Sequence, residues 1–193
     1  MSETAICNQA LSWLGAGRIL SLDDGTELSD LCKDNYEPLR DAVLEEARWT
    51  FATKRYEFLP MAEEPAYGYS TQFLIPTEVL NVIEVREDQE FRPNGISNLD
   101  WRKEGDRILT NVDVIYAKCV VRVIDTTKFS RLFTQALAAR IALELAPTIT
   151  ESNTKTQIMQ AKYDDSIKLA IAMDGAQGRS DIIRNRQLTS FVR

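Results

Sequence analysis

The chain has 193 residues, of which 44% are hydrophobic and 8% aromatic, and this is enough to bury a core as one domain. Its net charge of −6 argues against the concentrated basic face that wholesale DNA binding needs. Histidine is absent, which excludes Ser-His-Asp and Cys-His catalytic arrangements and every metal site that depends on imidazole.

The three cysteines, Cys7, Cys32 and Cys119, are too few and too widely spaced for a disulfide framework or a zinc knuckle. We expect buried, reduced thiols. No run approaches the roughly 18 apolar residues of a membrane helix, and the first four residues do not begin a secretory signal. These features predict a protein that is made and kept in a cytoplasm, without membrane contact.

A first helix is predicted over about residues 3–14. Its apolar side chains share one face: Ile6, Ala10, Trp13 and Leu14. Gly15 or Gly17 can supply the left-handed residue that closes this helix. The acidic residues of segment 21–30 are explained by a turn followed by a helix N-terminus, where free amides stabilise negative charge, and no calcium site is assigned.

A second helix is predicted over about residues 27–52, with Thr26 as its N-cap. Its apolar positions recur at helical spacing: Leu28, Leu31, Cys32, Leu39, Val43, Leu44 and Ala47. Pro38 falls inside this helix and removes one backbone hydrogen bond. We therefore expect a kink near residues 34–36 or two abutting helices.

The hydrophobic period changes between about residues 56 and 124, where we predict a small antiparallel β insertion. Residues 72–75 and 81–86 are short β-rich runs, and Glu104-Gly105-Asp106 is typical of a hairpin turn. Residues 115–123 alternate between apolar and polar side chains, which predicts a strand with one buried face. Trp101, in the hairpin, is left open between a core position and a surface contact.

Two further helices are predicted at about residues 130–146, ended by Pro147, and 151–173. The first of them is apolar almost all round: Leu132, Phe133, Ala136, Leu137, Ala138, Ala139, Ile141, Ala142, Leu143 and Leu145. Such a helix is either central in its fold or packed against another subunit. The predicted fold class is therefore α+β, mainly α with a small antiparallel β insertion.

Charge is distributed unevenly along the chain. Residues 1–46 contain ten acidic and three basic side chains, whereas residues 174–193 contain four arginines and two aspartates. The C-terminal tail, residues 175–193, mixes guanidinium groups with bulky apolar side chains: Arg179, Ile182, Ile183, Arg184, Arg186, Leu188, Phe191, Val192 and Arg193. This blend is typical of segments that become ordered on binding, and the alternative is a frayed terminus.

Adjacent carboxylates at residues 45–46, 63–64 and 164–165 raise the question of glycosidase-type acid/base catalysis. That chemistry needs two carboxyl groups roughly 5–9 Å apart on a groove, with one of them desolvated. Adjacent acids on a helix point in different directions and are usually solvated. No catalytic, cofactor-binding or metal-binding residue is therefore assigned.

Four segments, taken together, point to a known family. Residues 40–52 (RDAVLEEARWTFA) follow residues 6–11 (ICNQAL) and 14–16 (LGA), and they precede residues 129–142 (FSRLFTQALAARIA). In this order and spacing the segments resemble the tail tubular protein A family of short-tailed phages, the adaptors that join the portal to the tail. The resemblance runs from about residue 5 to the end and contains no catalytic motif.

The resemblance implies residues for fold and ring packing. Those that match the family's second helix are Arg40, Asp41, Leu44, Trp49 and Phe51, and those that match its third helix are Phe129, Phe133, Ala136, Leu137 and Ala142. Arg140, on the polar edge of the third helix, is added to this set. The tail from Gly175 matches only in position and character, and it is expected to dock on the portal.

The family likeness also implies an adaptor domain over residues 1–174, present as a dodecameric ring in the neck of the virion and assembled in the host cytoplasm. Its expected partners are the portal, a tail nozzle protein of the tail tubular B kind and a tail fibre. The genome is expected to pass through the ring without sequence-specific binding. Two alternatives stay open: a head-completion protein of a long-tailed phage, and a carboxylate-dependent cell-wall hydrolase.

Overall fold

The computed structural model describes residues 1–89 and 99–177. Within them the fold is α+β, as predicted, with four α-helices and two small antiparallel sheets. Helix α1 spans Glu3–Leu14, the range predicted for the first helix. The Ser2 hydroxyl accepts a hydrogen bond from the Ala5 amide at its start, and Gly15, at φ 81°, closes it in the left-handed conformation.

Helix α2 spans Glu27–Glu45. Thr26 and Ser29 form a reciprocal capping box at its start, in which each side chain accepts a hydrogen bond from the other residue's backbone amide. Pro38 lies inside one continuous helix, so the alternative of two abutting helices is wrong.

The prediction that α2 continues to residue 52 is also wrong. Trp49 leaves the helical conformation (φ −56°, ψ 129°), and its indole N–H donates to the carbonyl oxygen of Val43 at 2.9 Å. This bond satisfies a carbonyl in the last turn of α2 that has no partner within the helix. Residues Thr50–Ala52 then form one 3-10 turn, and a strand begins at Thr53.

Six strands follow α2 in the described part of the chain. They are β1 (Thr53–Phe58), β2 (Thr71–Leu74), β3 (Val79–Arg86), β4 (Trp101–Glu104), β5 (Arg107–Thr110) and β6 (Ile115–Val121). One antiparallel sheet has the order β1-β6-β3 and the other has the order β2-β5-β4. Every predicted β run is found, but the insertion begins at Thr53 rather than near residue 56.

The two sheets share a small core of their own, which we call the β core. Its buried members come from both sheets: Phe58, Phe73, Ile75, Val85, Ile108, Ile115, Ala117 and Cys119. The alternation predicted for β6 is confirmed for its first five residues, since Ile115, Ala117 and Cys119 are buried while Tyr116 and Lys118 are half-buried. It is wrong beyond them, because Val120 is buried and Val121 is half-buried. The sequence left Trp101 open between a core position and a surface contact. The side chain is partly buried and packs against the β core.

Helices α3 (Arg131–Thr150) and α4 (Asn153–Gln177) complete the helical body. Pro147 does not end α3, contrary to the prediction. The Thr150 hydroxyl donates to the carbonyl oxygen of Ala146 at 2.7 Å, and Glu151, at φ 49°, closes the helix one turn later. Helix α4 likewise continues past Gly175, where a release into the tail was expected.

Helix α3 lies at the centre of the main core and contacts α1, α2 and α4. Its buried side chains face all three neighbours: Phe133, Thr134, Ala136, Leu137, Ala138, Ala139, Ile141, Ala142, Leu143, Leu145 and Ala146. A helix that is apolar nearly all round is stable in water only when it is covered on most sides. Of the two explanations offered by the sequence, the central position is therefore the right one.

Candidate interaction surfaces

Four aromatic rings join the end of α2 to the start of α3. We call Trp49, Phe51, Phe129 and Phe133 the aromatic cluster. The ring centroids of Trp49 and Phe133 lie 5.0 Å apart in an edge-to-face arrangement, and those of Phe129 and Phe133 lie 4.8 Å apart. Phe51 contacts Phe133 at 5.0 Å. These geometries are the favourable ones for aromatic pairs, so the cluster fixes α3 against the chain that leaves α2.

The structure places most of the predicted packing residues inside the chain itself. Those buried are Arg40, Leu44, Trp49, Phe129, Phe133, Ala136, Leu137 and Ala142. Their role in the fold is evident, but they leave almost no surface for a neighbouring copy. Of the predicted set, only the half-buried Asp41, Phe51 and Arg140 keep surface that another subunit could contact.

A charged group ties α2 to the β sheets. Arg40 is 2% exposed and its guanidinium donates to the Asp41 carboxylate at 2.9 Å. The other oxygen of Asp41 accepts from Arg122, just beyond β6, at 2.6 Å. One carboxylate thus bridges two guanidinium groups, which offsets part of the cost of burying Arg40. The Nη1 atom of Arg40 is buried without a hydrogen-bond partner among the described residues.

Two contacts hold α4 against the end of α2. Asp174 is 6% exposed, and its carboxylate accepts hydrogen bonds from the Thr50 amide at 2.7 Å and from the Thr50 hydroxyl at 2.9 Å. The Tyr163 hydroxyl donates to the Glu46 carboxylate. Burial, with this bond next in effect, raises the pKa of Tyr163 above its usual value. These contacts join residues more than a hundred positions apart, and no sequence pattern indicated them.

Exposed apolar side chains concentrate on two parts of the surface. One group lies on α4: Ile158, Leu169, Ile171 and Met173. The other lies on strands and loops of the β insertion: Leu59, Tyr67 and Leu74. Beside the first group, a groove of about 290 Å³ is lined by Leu132 of α3 and by Lys162 and Leu169 of α4. Ile158, Leu169 and Met173 share one side of α4 at helical spacing, and exposed apolar side chains grouped in this way are a candidate protein contact.

Helix α2 presents an acidic stripe to solvent. Its carboxylates recur three or four residues apart and so share one side of the helix: Glu27, Asp30, Asp34, Glu37, Asp41 and Glu45. All but Asp41 are exposed. The acidic excess of residues 1–46 is therefore concentrated along one ridge.

Four of the six carboxylates considered for hydrolysis are in the wrong surroundings for that chemistry. Residues Glu45, Glu46, Glu63 and Glu64 are all exposed, and Glu63 lies 3.6 Å from the guanidinium of Arg107. A general acid needs a desolvated carboxyl group whose pKa is raised, and none of the four is desolvated. In the described residues no group of three or more acidic or cysteine side chains is arranged to hold a metal ion.

Among the helices of residues 1–89 and 99–177, none is long and apolar enough to span a bilayer. The predicted docking residues Arg179–Arg193 lie outside the described residues. No family model matches the chain, and no curated protein matches it in sequence.

Proposed function

We propose that this chain is a virion structural protein, a head-to-tail adaptor that forms a ring between the portal and the tail nozzle. One observation supports the proposal most directly. The two densest segments of the family resemblance, residues 40–52 and 129–142, are far apart in sequence, and they meet in the aromatic cluster, where Trp49 and Phe133 lie 5.0 Å apart. The residues that carry the family resemblance are thus the ones that join α2 to α3.

The architecture also agrees with what the resemblance implies. A helical body is interrupted between α2 and α3 by a β insertion with its own core. A subunit of this kind can pack against neighbours while one loop of the insertion contacts a different partner. In the proposed assembly the nozzle protein or a tail fibre contacts loops of the insertion, including residues 62–69.

The ring interface must use surfaces other than the filled core. Cyclic assembly buries two different faces of each subunit. We assign one of them to the exposed apolar side chains of α4, including Leu169 and Met173, which are 52% and 48% exposed. The second face is assigned to the exposed Leu59 and Leu74 of the β insertion, which lie outside the loop at residues 62–69.

The acidic stripe of α2 suits the wall of a channel that carries DNA. Carboxylates repel phosphates within about a Debye length, roughly 8–10 Å in physiological salt, so a negative lining lets the genome slide without sequence-specific binding. In this arrangement the stripe faces the lumen. The tail beyond Gln177 docks on the portal, and the ring belongs to the neck of a particle assembled in the host cytoplasm.

The proposal is tested by measuring mass in solution by native mass spectrometry, with and without portal rings of the same particle. We expect a closed ring, dodecameric with a twelvefold portal, at least when the portal is present. Leu169→Asp should prevent ring closure, whereas Leu20→Asp, at an exposed apolar residue outside both assigned faces, should not. A chain that stays monomeric at high concentration, even beside the portal, would refute the proposal.

A head-completion protein of a long-tailed phage is the alternative of the same class. The two are separated by the tail protein that the purified ring captures. A cell-wall hydrolase is separated from both by a zymogram, in which the adaptor is expected to clear no peptidoglycan.

A further inference from the structure

The groove between α3 and α4 lies beside the exposed apolar side of α4, and we call it the α4 groove. Both helices contribute to its lining: Leu132, Gln135, Lys162, Asp165, Ser166 and Leu169. Along α4, Ile158 and Met173 lie on either side of it, and both are exposed. The described residues therefore leave an apolar strip of Ile158, Leu169 and Met173 uncovered.

The two charged side chains of the α4 groove differ in what they contact. The Lys162 ammonium lies 4.1 Å from the centroid of the Trp13 ring, so it is held in a cation–π contact with α1. Asp165 is exposed and has no ion-pair partner among residues 1–89 and 99–177. The groove thus offers one unpaired carboxylate next to exposed apolar surface. This combination suits an occupant that carries guanidinium groups and bulky apolar side chains together.

The tail beyond Gln177, residues 178–193, has that composition. It contains four arginines and one aspartate, and it carries five bulky apolar residues: Ile182, Ile183, Leu188, Phe191 and Val192. The acidic stripe of α2 offers carboxylates to the arginines, but α2 exposes no large apolar side chain. The α4 groove offers both kinds of contact, so the chemistry of the tail favours the groove over the stripe.

The tail starts at one end of the apolar strip and is long enough to follow it. Helix α4 ends at Gln177, one turn past Met173, and the Asp174 carboxylate fixes this end by two hydrogen bonds to Thr50. Ile158 lies roughly 29 Å back along the helix. The sixteen residues after Gln177 span roughly 53 Å when extended. One reversal after Gln177 therefore lets the tail run along the whole strip.

We propose that in the free chain the tail folds back into the α4 groove of its own molecule. In this arrangement an arginine of the tail pairs with Asp165. The side chains of Ile182 and Ile183 pack against Leu169 and Met173. Because the tail is tethered next to the groove, a contact that is weak between separate molecules becomes favourable within one molecule.

The docked tail controls ring formation, a consequence that rests on the proposed function. Ring closure uses the exposed apolar side of α4, and the portal binds the tail. A tail in the groove therefore keeps the free chain from closing a ring, and the portal uncovers the strip when it takes the tail. The tail leaves the groove more easily than the body unfolds, so the thermal midpoint of the chain does not depend on it.

The test uses the full chain with Leu188 replaced by the photo-reactive residue p-benzoylphenylalanine, irradiated in dilute solution. We expect a cross-link within one molecule, so the main product keeps the mass of a single chain. A peptide map should place the link on α4 between residues 158 and 173, or on the facing residues of α3. Portal rings should lower the yield of this link at least fivefold and transfer the link to the portal. A link to α2, a link between two copies, or no link in the free chain would each overturn the proposal.

A charge reversal in the groove tests the ion pair. Asp165→Lys in the same chain removes the unpaired carboxylate and should lower the yield of the cross-link at least threefold. Asp30→Lys makes the same charge change at an exposed residue of the acidic stripe, so it is the matched control and should leave the yield unchanged. Loss of the link with Asp30→Lys alone would show that the stripe holds the tail and would contradict the proposal.

Native mass spectrometry without the portal tests the control of ring formation. Ile182→Asp with Ile183→Asp should weaken docking of the tail and raise the mean mass at equal concentration. Ser180→Asp with Thr189→Asp adds the same charge at polar positions of the tail and should leave the mean mass unchanged. An unchanged mass in the first variant would overturn this control by the tail.

The docked tail and the adaptor function fail by different results. A ring that closes on the portal without any cross-link in the groove keeps the adaptor function and overturns the docked tail. A cross-link in the groove of a chain that never closes a ring supports the docked tail and overturns the adaptor function.

Discussion

At the scale of single residues, short polar side chains decide where the helices begin. Asp24 shows this best. Its carboxylate accepts hydrogen bonds from the Leu20 amide at 2.9 Å, from the Thr26 amide at 3.0 Å and from the Thr26 hydroxyl at 2.7 Å. Side-chain hydrogen bonding from Ser29 and Thr26 holds the pKa of Asp24 well below its usual value of about 3.8. The ionised form therefore orders the loop that leads into α2.

This pKa shift predicts an acid dependence of stability. Because the folded-state pKa is lowered, the contribution of Asp24 is fully present above about pH 4 and is lost as the pH falls through the folded-state value. We expect Asp24→Asn to lower the free energy of unfolding at neutral pH and to flatten its decline below about pH 4. Urea unfolding measured between about pH 7 and pH 2 checks this.

Asp113→Asn removes an exposed carboxylate elsewhere and serves as the control for that series. It should leave the acid limb of the wild-type curve unchanged. An Asp24→Asn protein whose pH profile runs parallel to that of the wild type would show that the loop contributes nothing.

At the scale of elements, the aromatic cluster determines how α2 and α3 are joined. The chain leaves α2 at Glu45 because Trp49 turns back to bond the helix end and to pack against Phe133. Helix propensity favoured a longer α2. The free energy gained by burying the rings of Trp49 and Phe133 outweighs that of a further helical turn. The contact between α4 and Thr50 then covers the same junction.

Phe133→Ala should destabilise the protein by about 3–5 kcal/mol, because it removes a fully buried ring and leaves a cavity among the other three. Leu132→Ala, at the half-buried neighbouring position on α3, is the control and should cost clearly less. Chemical denaturation of both variants makes the comparison. Equal losses would mean that the cluster relaxes to fill the space and does not determine the junction.

At the scale of the whole molecule, the described residues form a helical body and a β insertion with separate cores. The body is complete without a partner, since α3 is covered by α1, α2 and α4 of the same chain. In the proposed ring, assembly adds contacts at the surface and does not finish the fold.

A chain that ends at Gln177 should fold with an unchanged thermal midpoint and lose at least tenfold in affinity for portal rings. The tail's apolar and arginine side chains are the proposed anchors. Arg184→Ala with Arg186→Ala in the full chain should weaken binding in the same direction, whereas Arg18→Ala, at an exposed residue of the α1–α2 loop, should not. Surface plasmon resonance measures both, and equal portal binding by the shortened chain would contradict the docking role.

Local patterns were enough to predict the order of the elements. The periodicity of Ile6, Ala10 and Leu14, the cap at Thr26 and the alternation through β6 depend on neighbours in sequence, so they could be recognised without a structure. The end predicted for α2 at residue 52 was wrong because the chain leaves the helix where Trp49 packs against Phe133, a contact between segments distant in sequence. The end predicted for α3 at Pro147 was wrong because Pro147 removes only one backbone hydrogen bond, while Leu145 and Ala146 of the same helix are buried in the core.

The sequence by itself determined the fold class, the apolar character of α3 and the acidic bias of the first 46 residues. Only the tertiary structure decided that α3 is buried by its own chain and that Asp174 bonds Thr50. The physical reason is that periodicity shows which side of an element avoids water. What covers that side depends on the packing of elements distant in sequence, and this is decided by the shape and polarity of the whole core.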